Sequence, residues 1–155
     1  MINIKNGNIL SNVTSGWIFH QVNCQGKMAS GIAWSIKSKY PKVYEEYLKF
    51  IGNSENKDLL VLGRCQEVKV TPELSIVNCF GQLYYGNDGQ RYTDYAALKT
   101  AFKEFLWLKK DLDIKSVIEN CHFPYKIGCA LGGGNFDIVS RLVEFYFPAA
   151  TFWKL

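Results

Sequence analysis

PYKIGCALGGGNF, from Pro124 to Phe136, is the stretch on which the fold turns. A short apolar run leads into Gly132-Gly133-Gly134, and a helical pattern starts near Phe136. Consecutive glycines on a strand-to-helix connection let the backbone approach a bulky group closely. They also leave several N–H groups free to point at an anion. The turn therefore reads as a phosphate cradle for a nucleotide-like ligand, with the rest of the chain building the pocket.

The 155 residues suffice for one domain with a sizeable core, and 48% of them are apolar. No apolar run approaches the ~18 residues of a membrane span, so no membrane partner is expected. The start, MINIKNGNIL, lacks the basic segment and apolar core of a secretory signal. A cytosolic monomer is the expectation, in the host cytosol if the chain is phage-encoded. Cys24, Cys65, Cys79, Cys121 and Cys129 are odd in number and widely spaced, with no C-x-x-C, which favours buried free thiols over disulfides or zinc. The net charge of +4 suits an anionic ligand, but Lys and Arg are spread along the chain rather than clustered, which argues against a nucleic-acid surface.

Strand patterns fall at Ile2–Ile4, Gly16–Asn23, Leu59–Leu62, Arg64–Val70, Leu74–Phe80, Ser116–Asn120, Pro124–Leu131 and Ala149–Trp153. Helical patterns fall at Ile32–Tyr40, Lys42–Phe50, Tyr95–Lys109 and Asp137–Phe147, the last with Ile138, Leu142 and Phe145 inward. Asn6-Gly7-Asn8 is a turn, Gly52–Lys57 a polar surface loop, and Gly81–Thr93 a candidate binding loop. Alternating strands and helices imply an α/β fold in one domain.

Cys24 to Gly31 forms a second loop rich in small residues, opening directly onto a helix. It lacks the GK[ST] ending of a P-loop and the G-x-G-x-x-G of a dinucleotide fold. Both loops sit at the ends of presumed strands, where open α/β sheets bind ligands. For acid–base work the candidates are His20, as a proton carrier or a core residue, and Asp94, as a pocket group or a helix cap.

His20-Gln21-Val22-Asn23-Cys24-Gln25-Gly26-x-Met28-x-Ser30-Gly31-Ile32-Ala33 resembles the front loop of macro domains, the ADP-ribose-binding family. Lys126 to Phe136 resembles their phosphate-cradling loop. Asn78-Cys79-Phe80-Gly81-Gln82 and Arg91-Tyr92-Thr93-Asp94-Tyr95-x-Ala97-Leu98 resemble a phage and bacterial subgroup described as ADP-ribose 1″-phosphate phosphatase-like. The resemblance implies a three-layer α/β/α sandwich with a mixed, mostly parallel central sheet across residues 1–155. It also implies a pose. Adenine would lie near Asn8 and Ile9. The diphosphate would lie over Gly132, Gly133, Gly134 and Asn135, reached through Cys129, Ala130 and Leu131. The distal ribose would meet Asn23, Gly26, Met28, Ala29, Ser30, Gly31 and Ile32, with Phe136 beside the ribose or phosphate. No metal or other cofactor is implied, because backbone N–H groups supply the anion site.

The resemblance further implies binding of ADP-ribose or a derivative and dephosphorylation of ADP-ribose 1″-phosphate, with His20 as the acid or base. The alternatives are a non-catalytic ADP-ribose-binding module and a hydrolase or deacylase acting on ADP-ribosylated macromolecules. Asn8 and Asn135 stand where macro domains often carry Asp. The Lys and Asp of related hydrolases have no counterpart around Gly81 and Gly132.

Overall fold

The computed structural model describes residues 3–52 and 60–155. Six strands form one sheet in the order β1-β6-β5-β2-β4-β3. They are β1 (Asn3–Asn6), β2 (Gly16–Asn23), β3 (Cys65–Lys69), β4 (Leu74–Gln82), β5 (Cys121–Pro124) and β6 (Thr151–Lys154). All neighbours are parallel except β3, which returns antiparallel along β4. Helices cover both faces, so the central strands read as continuous apolar runs. This is the three-layer α/β/α sandwich with a mixed, mostly parallel sheet that the motifs imply.

Strand alternation divides the core in two. Ile18 and Val22 of β2, with Leu74, Ile76 and Phe80 of β4, pack under α1 (Ile9–Asn12), α2 (Gly31–Lys39) and α3 (Pro41–Ile51). Phe19, Val77 and Cys79 pack on the other face, under α4 (Tyr95–Leu108), α5 (Ile114–Glu119) and α6 (Phe136–Tyr146). Phe19 is the hub of the second core, with its ring centroid 4.6 Å from that of Phe123, 4.8 Å from Phe105 and 5.1 Å from Phe147.

Several expected elements differ. Ser116–Asn120 is not a strand: it falls in α5, whose cap Asp113 accepts from Ser116 N–H, and a short apolar run cannot declare its own period. Leu60 and Val61 are helical rather than extended, while Leu59 lies outside the described residues. So do Ile2 and most of the Gly52–Lys57 loop. The strand expected over Pro124–Leu131 ends at Pro124, and Lys126 and Gly128 at positive φ turn the chain away from the sheet. On α6 the inward face is one residue out of phase with expectation. Val139 and Val143 are fully buried, whereas Ile138 and Phe145 are exposed at 42% and 74%.

No disulfide joins the five cysteines; Cys24, Cys65, Cys79 and Cys121 are buried, and Cys129 is half-buried. Burial pushes the Cys65 thiol up to about 12 and that of Cys129 up to about 11. Among the described residues no helix is long and apolar enough to cross a membrane.

His20 lies on the Ile18–Val22 face of β2 and is completely buried. Its Nε2 stands 2.5 Å from Asn78 Oδ1, and Asn78 Nδ2 donates to Gln66 Oε1 at 3.0 Å. A polar row thus crosses three strands inside an apolar layer. Because Asn78 offers its oxygen, His20 donates from Nε2, which leaves Nδ1 unprotonated and without a partner. Burial lowers the imidazole from 6.5 to about 4. The folded state therefore holds the neutral form and loses stability on acidification. The contribution is intact above pH 6.5 and disappears as the pH falls through about 4. Urea unfolding at pH 7.5 and at pH 4 should show a loss of roughly 3 kcal/mol from this residue. The His20 imidazole signal in NMR should stay neutral through the ordinary histidine range and titrate only near pH 4. An imidazole titrating near its ordinary value would contradict the buried row.

Candidate functional site

A cleft of about 1080 Å³ opens at the carboxyl ends of the parallel strands. Two loops build its opposite walls.

The first loop joins β2 to α2 and is shaped from below by Asn23. That side chain accepts from the N–H of Gln25 (2.9 Å) and Lys27 (3.3 Å) and donates to the Lys27 carbonyl (2.9 Å). The buried Tyr47 hydroxyl donates to the Asn23 carbonyl at 2.7 Å and accepts from Gly26 N–H at 3.1 Å. Burial raises the Tyr47 phenol well above its ordinary value, so it stays a protonated strut. Met28 anchors the loop in the core. The loop delivers Ser30 to the start of α2, where the serine side chain makes no capping bond. Gly31, Ile32 and Ala33, the first turn of α2, line the cleft with their N–H groups uncommitted among the described residues. An uncapped helix start is an anion site by geometry and by dipole.

The second loop runs from Tyr125 to Asn135 and is braced by Thr93. The Thr93 hydroxyl donates to the Gly128 carbonyl at 2.6 Å and accepts from Gln21 Nε2 at 2.8 Å. Gln21 Nε2 also lies 2.7 Å from Gln82 Oε1. Tyr92 and Thr93 N–H both donate to the Gly132 carbonyl, at 2.7 and 2.9 Å. Side chains crowd the glycines. A Cβ on Gly132 would stand 2.7 Å from Thr93 Oγ1, and one on Gly133, at φ +71°, would stand 2.5 Å from the Gln90 carbonyl. The N–H groups of Ala130, Leu131 and Gly132 donate to no group among the described residues, and all three residues line the cleft.

Of the expected ligand residues, Asn8, Ile9, Asn23, Ala29, Ser30, Gly31, Ile32, Ala130, Leu131 and Gly132 share this one cleft. Gly26, Met28, Cys129, Gly133, Gly134, Asn135 and Phe136 lie outside its lining. Each has a structural occupation or site instead. Phe136 packs against Tyr125 at 4.7 Å and Phe152 at 5.7 Å. Asn135 caps α6, accepting from Asp137 N–H at 2.8 Å. Asn8 likewise caps α1, accepting from Leu10 N–H at 2.9 Å, although it also faces the cleft. Asn and Asp cap equally well, so the local structure tolerates Asn at both positions.

The two acid–base candidates do not reach the cleft lining. The strand period that carries Gln21 to the cleft turns His20 into the opposite core layer. Asp94 is the cap of α4, accepting from Ala97 N–H at 3.0 Å. Gln21, Gln82, Lys126, Tyr125, Trp153 and Lys154 are lining residues that the motifs did not single out as ligand contacts. Strand alternation could have found Gln21. Gln82, Trp153 and Lys154 reach the cleft because β4 and β6 end there, and Tyr125 and Lys126 because the chain turns directly after β5.

No protein-family model matches the chain. No curated protein matches it either. Solved structures do. A protein of unknown function from Bacteroides thetaiotaomicron superposes with a TM-score of 0.80 at 24% identity, covering all of this chain and 98% of that one. The macrodomain of Mycobacterium tuberculosis DarG gives 0.74 at 19% identity, over 99% and 97% of the two chains. Thermosipho africanus DarTG, solved in complex with ADP-ribose, gives 0.70 at 14% identity, over 99% of this chain and 42% of that one. At these identities the likeness is one of fold, and the fold is that of macrodomains.

The bracing of the second loop makes two substitutions informative. Thr93→Val leaves the Gly128 carbonyl without its hydroxyl donor and should cost about 1–3 kcal/mol in urea unfolding. Gly133→Ala meets both a backbone oxygen and a positive φ, and should cost a similar amount. Wild-type stability in both variants would show that the loop is not held as described.

Proposed function

From the macrodomain fold and the chemistry of the cleft, we propose that the protein binds ADP-ribose or a close derivative through its diphosphate, without cleaving it. One observation carries this reading. The uncapped start of α2 and the Ala130–Gly132 amides line the same cleft, so two sets of uncommitted N–H donors are available to one anion. Backbone donors fixed by braced loops bind without reorganising, which favours affinity.

The carboxylate and imidazole side chains that most often activate water are absent from the described residues of the same wall. Among its described residues there is no Asp, Glu, His or Cys side chain. Hydrolysis of a phosphomonoester or of a glycosidic ester needs a group that moves a proton or attacks, placed within hydrogen-bond reach. His20 is sealed in the core with its basicity suppressed, and Asp94 is occupied as a cap. The 1″-phosphatase reading therefore finds neither of its expected acid–base residues in the cleft, and the reading as a hydrolase of ADP-ribosylated macromolecules lacks its Lys and Asp pair. A sequestering or reader role needs neither.

Calorimetry with ADP-ribose should show saturable binding that weakens as salt is raised, and incubation with ADP-ribose 1″-phosphate should release no phosphate. Ser30→Asp separates binding from folding. An aspartate cap should preserve or raise the melting temperature, yet place a carboxylate at the anion site and weaken ADP-ribose binding by roughly tenfold or more. Catalytic turnover of any of these ligands, or tight binding by the Ser30→Asp variant, would refute the proposal.

A further inference from the structure

The cleft carries three lysines, Lys27, Lys126 and Lys154, with no carboxylate side chain among the described lining residues to balance them. Two of them gather at the aromatic end. Lys126 follows Tyr125 in sequence, and Lys154 Nζ stands 4.9 Å from the centre of the Tyr125 ring. Lys5 on β1 lies with its Nζ 5.7 Å from the centre of the Trp153 ring, outside the cleft lining. Lys5 lies opposite Trp153, Asn6 lies opposite Lys154, and Tyr125 N–H donates to the Trp153 carbonyl at 2.8 Å. Lys5, Lys126 and Lys154 are exposed, and none has an ion-pair partner among the described residues. Lys126 is also the one non-glycine residue at positive φ among the described residues, at +60°, a conformation that L side chains adopt at a cost.

The diphosphate does not account for this charge. Its donors are backbone amides in the two loops, whereas Lys126 and Lys154 line the cleft together with Tyr125, Trp153 and Asn8. Trp153 is an aromatic face beside a cap amide, the chemistry that suits a nucleobase and its ribose. Unbalanced ammonium groups around a nucleoside site favour a further anion there. We propose that the ligand carries an additional phosphomonoester on its nucleoside ribose, at the 2′ or 3′ oxygen, held by Lys126 and Lys154. This rests on the diphosphate-binding reading above.

Calorimetry at low ionic strength compares ADP-ribose with its 2′-phosphorylated form, and AMP with adenosine 3′,5′-bisphosphate. The phosphorylated member of at least one pair should bind roughly tenfold more tightly, and that pair identifies the oxygen. The ratio within the pair should fall toward unity in the Lys126→Gln/Lys154→Gln variant and in about 0.5 M salt. ADP-ribose 1″-phosphate serves as a control at the other end: its ratio to ADP-ribose should not follow the double substitution. If ADP-ribose binds but neither added phosphate strengthens binding, this proposal fails and the diphosphate reading stands. A gain that survives in the double variant, or an equal loss for the 1″-phosphate, also overturns it. If none of the ligands binds, both readings fall.

Discussion

Strand β2 is hydrogen-bonded on both sides, to β4 and β5, and is covered on both faces, so its residues have no freedom of destination. The two-residue period sends Ile18, His20 and Val22 into one core layer and Phe19 and Gln21 toward the other. A slip by one residue would exchange these sets, placing an imidazole among the phenylalanines and a phenylalanine in the layer of Ile76 and Phe80. From this register follow both the polar row through His20, Asn78 and Gln66 and the Gln21–Thr93–Gly128 brace. The cleft is shaped from beneath by the strand that also centres the fold.

The two loops solve a similar problem by different means. The first is assembled around one amide and one phenol, Asn23 and Tyr47, whose donors and acceptors are used up inside the loop. The second is tied to Thr93, Gln21 and the backbone of the preceding loop, with glycines where a Cβ would strike the ties. In both, side-chain polarity goes into holding the backbone, and the backbone is left to meet the ligand. Such a surface recognises charge and shape.

The sequence displayed the fold at its strongest signals. Gly16–Asn23 is bounded as the apolar run suggests, and α2, α3 and α4 begin and end within a residue or so of their patterns. What stayed hidden has physical causes. The short apolar segment Ser116–Asn120 carries too few residues to distinguish two periods, and tertiary context made it helical. The phase of α6 was misjudged because Ile138, Leu142 and Phe145 form as good a stripe as Val139 and Val143; contact with the sheet decides between them. Ten of the ligand positions that the macro-domain resemblance implies share the cleft, because the two loop motifs that carry it lie on adjoining strand ends. The pair of cleft lysines was illegible, since Lys126 and Lys154 lie far apart in sequence and reach one cleft only through the pairing of β5 with β6.

That strand order has a consequence for how the protein is made. β1, near the amino end, finds its partner in β6, near the carboxyl end, and β6 also supplies Trp153 and Lys154 to the cleft. Pairing of such distant segments is slow, because a large loop must close before any contact rewards it. During synthesis β2 and β4 can pair while much of the chain is still unmade, but β1 must wait with its edge unpaired. The cleft is then the last part of the molecule to form, completed when β6 slots between β1 and β5.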